Sequence, residues 1–151
     1  MRSFSVILLA AALVLVTGAA AASGDMTVTA SSHAAAAKSV RLTAVLQYEM
    51  QCGYPGFTPA QLTLPGVVPT RIARTTVLVN GKAARRVTVR GRVVSVGMPA
   101  RPQIMCDVIG PGRLTIVLTP SAGVANPAKA GSYRVVARKG SSTFSAQLAI
   151  R

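Results

Sequence analysis

The sequence predicts an all-β protein, a single β-sandwich of about seven or eight antiparallel strands. Three observations predict it. Apolar and polar residues alternate over short segments, an Asn-Gly pair separates two valine-rich runs, and turn signals recur at short intervals from residue 40 onward. No segment beyond residue 40 has helical periodicity. We therefore assign residues 40–151 to one sandwich domain.

The first predicted strand begins at Val40, in the segment VRLTAVLQY. Its apolar residues occupy every second position, as is typical of a strand with one buried face. The segment 52–71 that follows holds four prolines and three glycines, which exclude a helix. We expect a turn-rich crossing there, with one short strand at 61–64.

Later strands are predicted in pairs. Asn80-Gly81 favours a type I′ turn, because both residues tolerate the positive φ angles that such a turn needs. A second reversal is expected at 90–92 and a further strand at 113–119. The last pair, 132–139 and 141–150, is joined around Gly140.

A structural corner is predicted before the penultimate strand. Asn126-Pro127 forms a turn, because proline keeps the preceding residue out of the helical region. Gly131 and Tyr133 then enter the strand in the arrangement of an immunoglobulin-type tyrosine corner, whose hydroxyl bonds back to the backbone of the preceding loop. The aspartate common four residues before the tyrosine is Lys129 here.

Much of the region 57–136 resembles an Ig-like module of bacterial exported and cell-surface proteins. The resemblance implies a non-catalytic, Ig-like β-sandwich. This chain differs from such modules in being a single copy, in its two cysteines and in its basic charge. The shared motifs are Leu64-Pro65, Val79-Asn80-Gly81, the valine hairpin at 87–96, Thr115-Ile116-Val117, Ala122-Gly123-Val124-Ala125-Asn126-Pro127 and Ala130-Gly131-Ser132-Tyr133.

The N-terminus predicts export. Residues 1–22 have a basic start, a short apolar run and an alanine-rich end, which together are typical of a signal peptide cleaved after Ala22. An uncleaved anchor is the alternative. Residues 23–39 are small and polar and predict a flexible linker, in which His33 is expected to be inert. We expect a secreted or envelope-associated protein that is not integral to a membrane.

Export favours a disulfide between Cys52 and Cys106, because secreted proteins fold in oxidising compartments. The alternative is a soft-metal site, since Met50 and Met105 lie beside the two cysteines and thioether and thiolate ligands suit copper(I). The chain is otherwise expected to need no cofactor.

No catalytic motif is present, and we expect a protein that is not an enzyme. Beyond the predicted linker the carboxylates are Glu49 and Asp107, each close to a cysteine. They could form an acid–base pair of the glycosidase kind, but ion pairing with arginine is the favoured interpretation. The sequence has no G-x-S-x-G, H-E-x-x-H, C-x-x-C or phosphate-binding loop.

The net charge is +14, from 17 basic and 3 acidic residues. Either it reflects composition alone or it attracts a polyanion. Because exported proteins do not meet intracellular nucleic acid and stacking aromatics are few, we expect an anionic envelope polymer or acidic glycan, not a specific nucleic acid. A secreted hydrolase inhibitor that uses the 52–71 loop is a further alternative. The candidate polyanion contacts are Arg85, Arg86, Arg90, Arg92, Arg134 and Arg138.

Overall fold

The computed structural model describes residues 23–50, 58–99 and 110–151. The predictions for the signal peptide, the disulfide, Met105 and Asp107 lie outside these residues. Met50 and Glu49 lie in a described strand, but their side chains are not described.

The described residues form ten β-strands and two short 3-10 turns, with no α-helix among them. The strands are β1 (Ser23–Ala30), β2 (Leu42–Met50), β3 (Ala60–Thr63), β4 (Val77–Val79), β5 (Lys82–Ala83), β6 (Arg86–Arg90), β7 (Val93–Gly97), β8 (Gly110–Leu118), β9 (Gly131–Lys139) and β10 (Ser142–Ile150).

These strands form two sheets that β1 joins. Sheet A has the order β10-β9-β3-β7-β6, and sheet B has the order β1-β2-β8-β4-β5. The first two residues of β1 pair in parallel with β10, and the other six pair antiparallel with β2. All other described strand pairs are antiparallel. The all-β sandwich predicted from the sequence is therefore confirmed, with more strands than expected.

Alternation along each strand builds the core between the sheets. In β2, Leu42, Ala44 and Leu46 are buried, and in β8 every second residue from Leu114 to Leu118 is buried. Sheet A contributes the same pattern, and Phe144 of β10 is its largest buried side chain. Removing these apolar surfaces from water is the main force that holds the sheets face to face.

The predicted linker is wrong for residues 23–30, which form strand β1. Met26, Val28 and Ala30 are half-buried and pack against the core, whereas Thr27 and Thr29 are exposed. The period of two that produces a strand is present, but small and polar residues on both sides obscure it. The described part of the sandwich therefore begins at Ser23, and the connection to β2 is the segment 31–41.

The Asn80-Gly81 turn has the predicted geometry, with φ angles of 49° and 80°. The turn joins β4 to β5 within sheet B. Asn80 also anchors it to the neighbouring strand, because its side-chain oxygen accepts a hydrogen bond from the Thr115 amide at 2.8 Å. After Ala84 the chain crosses to sheet A, where β6 and β7 form the second predicted hairpin.

Candidate anion-binding face

Four of the six predicted arginines share the outer face of sheet A. Arg86 and Arg90 lie on β6, and Arg134 and Arg138 lie on β9. In both strands the residues next to the arginines along the chain are partly or fully buried and point towards the core, while all four arginines are exposed. We call this set the arginine face.

Strand register fixes how the arginine face is arranged. One row of paired residues runs across the sheet from β9 to β6. It consists of Arg138, Gln61 of β3, Ser95 of β7 and Thr88 of β6. Thr88 lies midway between Arg86 and Arg90. The two arginine strands therefore flank a strip of small polar and valine side chains, and no acidic residue lies on the described part of this face.

The spacing of these arginines suits a long ligand. Arginines four residues apart on one strand are separated by ~13 Å, and three strand spacings put β6 ~14 Å from β9. Separations of that size are too large for several guanidinium groups to bind one small anion together. They match repeated charges along an extended polymer, which each guanidinium would contact separately.

Hydrogen bonds hold part of the face in place. A side-chain nitrogen of Arg134 donates to the Ser145 hydroxyl at 3.3 Å, and the Ser132 hydroxyl donates to the Gln147 side-chain oxygen at 3.1 Å. These contacts cross from β9 to β10 on the outer side of the sheet. The bond to Ser145 restricts the rotamers of the Arg134 side chain, which lowers the entropy that this side chain would lose on binding a ligand.

The other two predicted arginines lie at the ends of β6, outside the register of the face. Arg85 is exposed at the crossing between the sheets, and its backbone amide donates to the Gly97 carbonyl at 3.1 Å. Arg92 is exposed in the two-residue turn after β6, and its carbonyl accepts a hydrogen bond from the Leu64 amide. Both extend the positive charge beyond the four face positions.

The outer face of sheet B has a different chemistry. Its described side chains are mainly threonine, valine and leucine, with one row in which Asp25 pairs with Gln47 and Gln47 pairs with Arg113. The charges in that row cancel. The four cations on the outer face of sheet A are therefore not repeated on sheet B. The uncharged outward residues are Thr27, Thr29, Thr43, Val45, Leu78, Thr115 and Val117.

The predicted tyrosine corner is present. The Tyr133 hydroxyl donates to the Lys129 carbonyl, four residues upstream, at 2.8 Å. Gly131 has a φ of 153°, and a side chain there would contact the Tyr133 ring. The corner therefore fixes how the chain enters β9 and where Arg134 begins the arginine face.

Asn126 has a larger role than a turn residue, and the sequence did not reveal it. Its side chain is buried, and the amide nitrogen donates to the carbonyls of Ser32 and Ala34 at 2.9 and 2.8 Å. Its backbone amide donates to the Ala37 carbonyl, and the Ala36 amide donates to the Pro127 carbonyl. Asn126-Pro127 thus ties the 31–41 connection to the loop before β9.

His33 and Lys139 were also not anticipated in their observed roles. His33 is exposed, and its Nδ1 lies 2.7 Å from the Ala149 carbonyl, so it contacts the end of β10 instead of lying in a linker. Lys139 is 5 % exposed at an inward position of β9, and its Nζ donates to the Thr58 carbonyl at 3.2 Å. Alternation in β9 puts Lys139 on the inward face with Val135 and Ala137, but lysine is ordinarily expected on the surface, so its charge hides its buried position.

The cysteine prediction can be examined only through the strands that lead to it. Met50 at the end of β2 pairs with Gly110 at the start of β8. Cys52 follows Met50 by two residues and Cys106 precedes Gly110 by four, so the two segments leave the sandwich from adjacent positions. Disulfide and copper site both stay predictions.

The described residues contain no group of three or more His, Cys, Asp or Glu side chains placed to hold a metal ion. Within the same ranges, no helix has the length and apolar character needed to cross a membrane.

Comparisons with known proteins support the fold. No protein-family model matches the sequence, and no curated protein matches it. Among solved structures, the chain is similar to one described as "Crystal structure of BslA - A bacterial hydrophobin", with a TM-score of 0.52 and 20 % sequence identity. The match covers 85 % of this chain and 98 % of that chain. It supports the all-β sandwich and leaves the resemblance to Ig-like modules a prediction.

Proposed function

We propose that this protein is an exported, non-catalytic binding module that holds anionic polymers of the cell envelope, or acidic glycans, on its arginine face. The observation that carries the proposal is the register of sheet A, which gathers Arg86, Arg90, Arg134 and Arg138 on one exposed surface. The signal peptide predicted at residues 1–22 supports an extracellular or envelope location.

Binding of this kind is electrostatic and depends on salt. Each guanidinium that contacts the polymer displaces condensed counterions, so affinity falls as the salt concentration rises. Each contact contributes a slope of about 0.7–0.9 in a plot of log affinity against log salt when the polymer is a nucleic acid. We expect smaller slopes for envelope polymers of lower charge density.

The test is a salt series on the mature chain, residues 23–151, binding to purified envelope polymer and to heparin. The variant R134Q/R138Q removes two charges from the arginine face. The matched control R41Q/R113Q removes two exposed charges on the side of sheet B. We expect the face variant to weaken binding and to reduce the salt slope by no more than about 1.4–1.8, which is the value for two nucleic-acid contacts, with a much smaller change in the control.

Two results would contradict the proposal. Binding that does not change with salt would exclude an electrostatic contact. Equal weakening by the two double variants would show that total charge, and not the arginine face, attracts the polymer. That second result would support the compositional explanation of the basic residues.

A surface-active role is the second candidate, because the similar structure is described as a bacterial hydrophobin. The described surface does not favour it, since Val67, 65 % exposed, is its one exposed large apolar residue. Pendant-drop tensiometry of the mature chain separates the two roles. A rapid fall in surface tension that R134Q/R138Q leaves unchanged would favour the surface-active role.

The copper and inhibitor alternatives are separable by simple measurements. Copper binding through Met50, Cys52, Met105 and Cys106 requires reduced cysteines, so a thiol titration that finds no free thiol in the exported protein excludes it. Inhibition through the 52–71 loop is tested directly against a panel of hydrolases. Neither alternative has support from the described residues.

A further inference from the structure

Strand β6 is an open edge of sheet A with an unusual sequence. It is the last strand in the sheet order, and no described strand pairs with its outer side. Its residues Arg86-Val87-Thr88-Val89-Arg90 read the same in both directions. Edge strands present free backbone donors and acceptors, and proteins commonly protect them with charged side chains.

The hairpin geometry shows which backbone groups are free. Residues 91 and 92 form a two-residue turn, so Arg90 and Val93 are the hydrogen-bonded pair that closes it. By alternation, Thr88 and Arg86 also direct their backbone groups towards β7. Val87 and Val89 therefore point their N–H and C=O groups to the open edge.

We propose that β6 pairs with β6 of a second copy of this chain, in antiparallel register about Thr88, when a multivalent anion is bound. In this register Val87 lies opposite Val89 of the other copy, and their free backbone groups meet as hydrogen-bonded pairs. The two-fold symmetry satisfies both edges with one contact, as in isologous dimers.

Charge explains why the contact needs an anion. The same register puts Arg86 directly opposite Arg90 of the other copy, on the outer face of the joined sheet. Like charges opposite each other destabilise strand pairing, so the edge stays open in the free protein. An anion bound between each pair of arginines removes the repulsion. This dependence on an anion rests on the proposed function, whereas the register itself does not.

The register is tested by reversing charges. In R90E, each introduced glutamate lies opposite Arg86 of the other copy, so we expect a doubling of molar mass without any anion, measured by sedimentation or light scattering. R86E is expected to behave in the same way. The control R113E makes the same change of charge away from the edge and is expected to stay monomeric.

The double variant R86E/R90E sharpens the test. Its two glutamates oppose each other in a homodimer, so it is expected to be monomeric alone and to form a one-to-one dimer with the wild type. General attraction cannot produce this dimer. The mature wild type carries 16 − 3 = +13, and the variant carries 13 − 4 = +9, so both partners are strongly positive.

Whether dimerisation requires an anion is tested with tripolyphosphate. A long polymer could hold two copies at separate points along its length, and tripolyphosphate is too short to do so. We expect it to dimerise the wild type and to slow amide exchange at Val87 and Val89. A monomeric R90E, or equal association of R90E and R113E, overturns the proposal whatever the polymer-binding result. If R90E is dimeric and the wild type binds no polyanion, the proposed β6 register is supported and the proposed function is excluded.

Discussion

Replacing Asn126 with alanine tests whether one buried amide connects the start of the sandwich to its last hairpin. In the wild type its side-chain nitrogen donates to two carbonyls of the 31–41 connection, at 2.9 and 2.8 Å. Alanine removes both donors and leaves the backbone amide of residue 126 able to bond to Ala37 as before.

The expected loss follows from these two bonds. Each contributes about 1 kcal/mol net, and a carbonyl left without a partner in the interior costs about 1–3 kcal/mol more. Ser32 is half-buried and Ala34 is exposed, so water can reach the freed carbonyls and the extra cost stays small. We expect a total loss of about 2–3 kcal/mol in the free energy of unfolding. For a chain of this size that is a fall of about 6–15 °C in Tm.

The assay is denaturant unfolding of the mature chain, with Tm as a second measurement. N126D is the companion variant: at neutral pH its carboxylate has the shape of the amide but cannot donate, and it faces two carbonyl oxygens. We expect N126D to be less stable than N126A and to recover partly on acidification, when protonation restores one donor. The exposed amide of Gln61 provides the control, Q61A, with a change within about 0.5 kcal/mol. An N126A variant as stable as Q61A would refute the reasoning.

Two further predictions concern the corner and the cysteines. Y133F removes the hydroxyl that donates to the Lys129 carbonyl and should lower the free energy of unfolding by about 1 kcal/mol in the same denaturant assay; no change would show that the bond is not part of the folded state in solution. The exported protein should have an intact mass two hydrogens below that of the reduced chain, and C52A/C106A should lose about 4 kcal/mol for a closed loop of about 54 residues. An unchanged mass after reduction would contradict the disulfide.

Periodicity was sufficient for the strands that have strong side-chain alternation. The β6–β7 hairpin, β9 and β10 lie close to the predicted positions, because valine and arginine alternate there and glycine marks each turn. For the same reason the sequence could predict which arginines share a face of each strand. The sequence could not predict which strands are neighbours in the sheet, because strands such as β9 and β3 pair although they are far apart in the chain.

The sequence failed where local composition conceals a tertiary role. Apart from glycine, residues 23–30 have only Met26, Val28 and Ala30 as apolar side chains, and their strand is stabilised by pairing with β2, which the sequence alone does not specify. Asn126 was recognised as a turn residue from its proline neighbour, but its bonds reach residues more than 90 positions away. Local rules describe backbone preferences, whereas such cross-chain bonds depend on the finished packing.

The basic charge reflects either a specific anion-binding surface or amino-acid composition alone. Its distribution over the surface distinguishes these two explanations better than its total does. On the outer face of sheet A the described charges sum to +4, and on the side of sheet B Arg41, Arg113 and Asp25 give 2 − 1 = +1. The sheets of a sandwich lie ~10 Å apart, a little more than the Debye length of about 8 Å at physiological ionic strength. A polymer beside sheet B is therefore screened from the arginines of sheet A. At about 0.01 M salt the Debye length reaches about 30 Å, and the whole molecule acts as one positive charge. Binding through the field alone would therefore make R134Q/R138Q and R41Q/R113Q equally weak at low salt, whereas the direct guanidinium contacts that we propose keep the two variants different there. A difference that disappears at low salt would mean that the field of the face, and not direct guanidinium contacts, dominates binding.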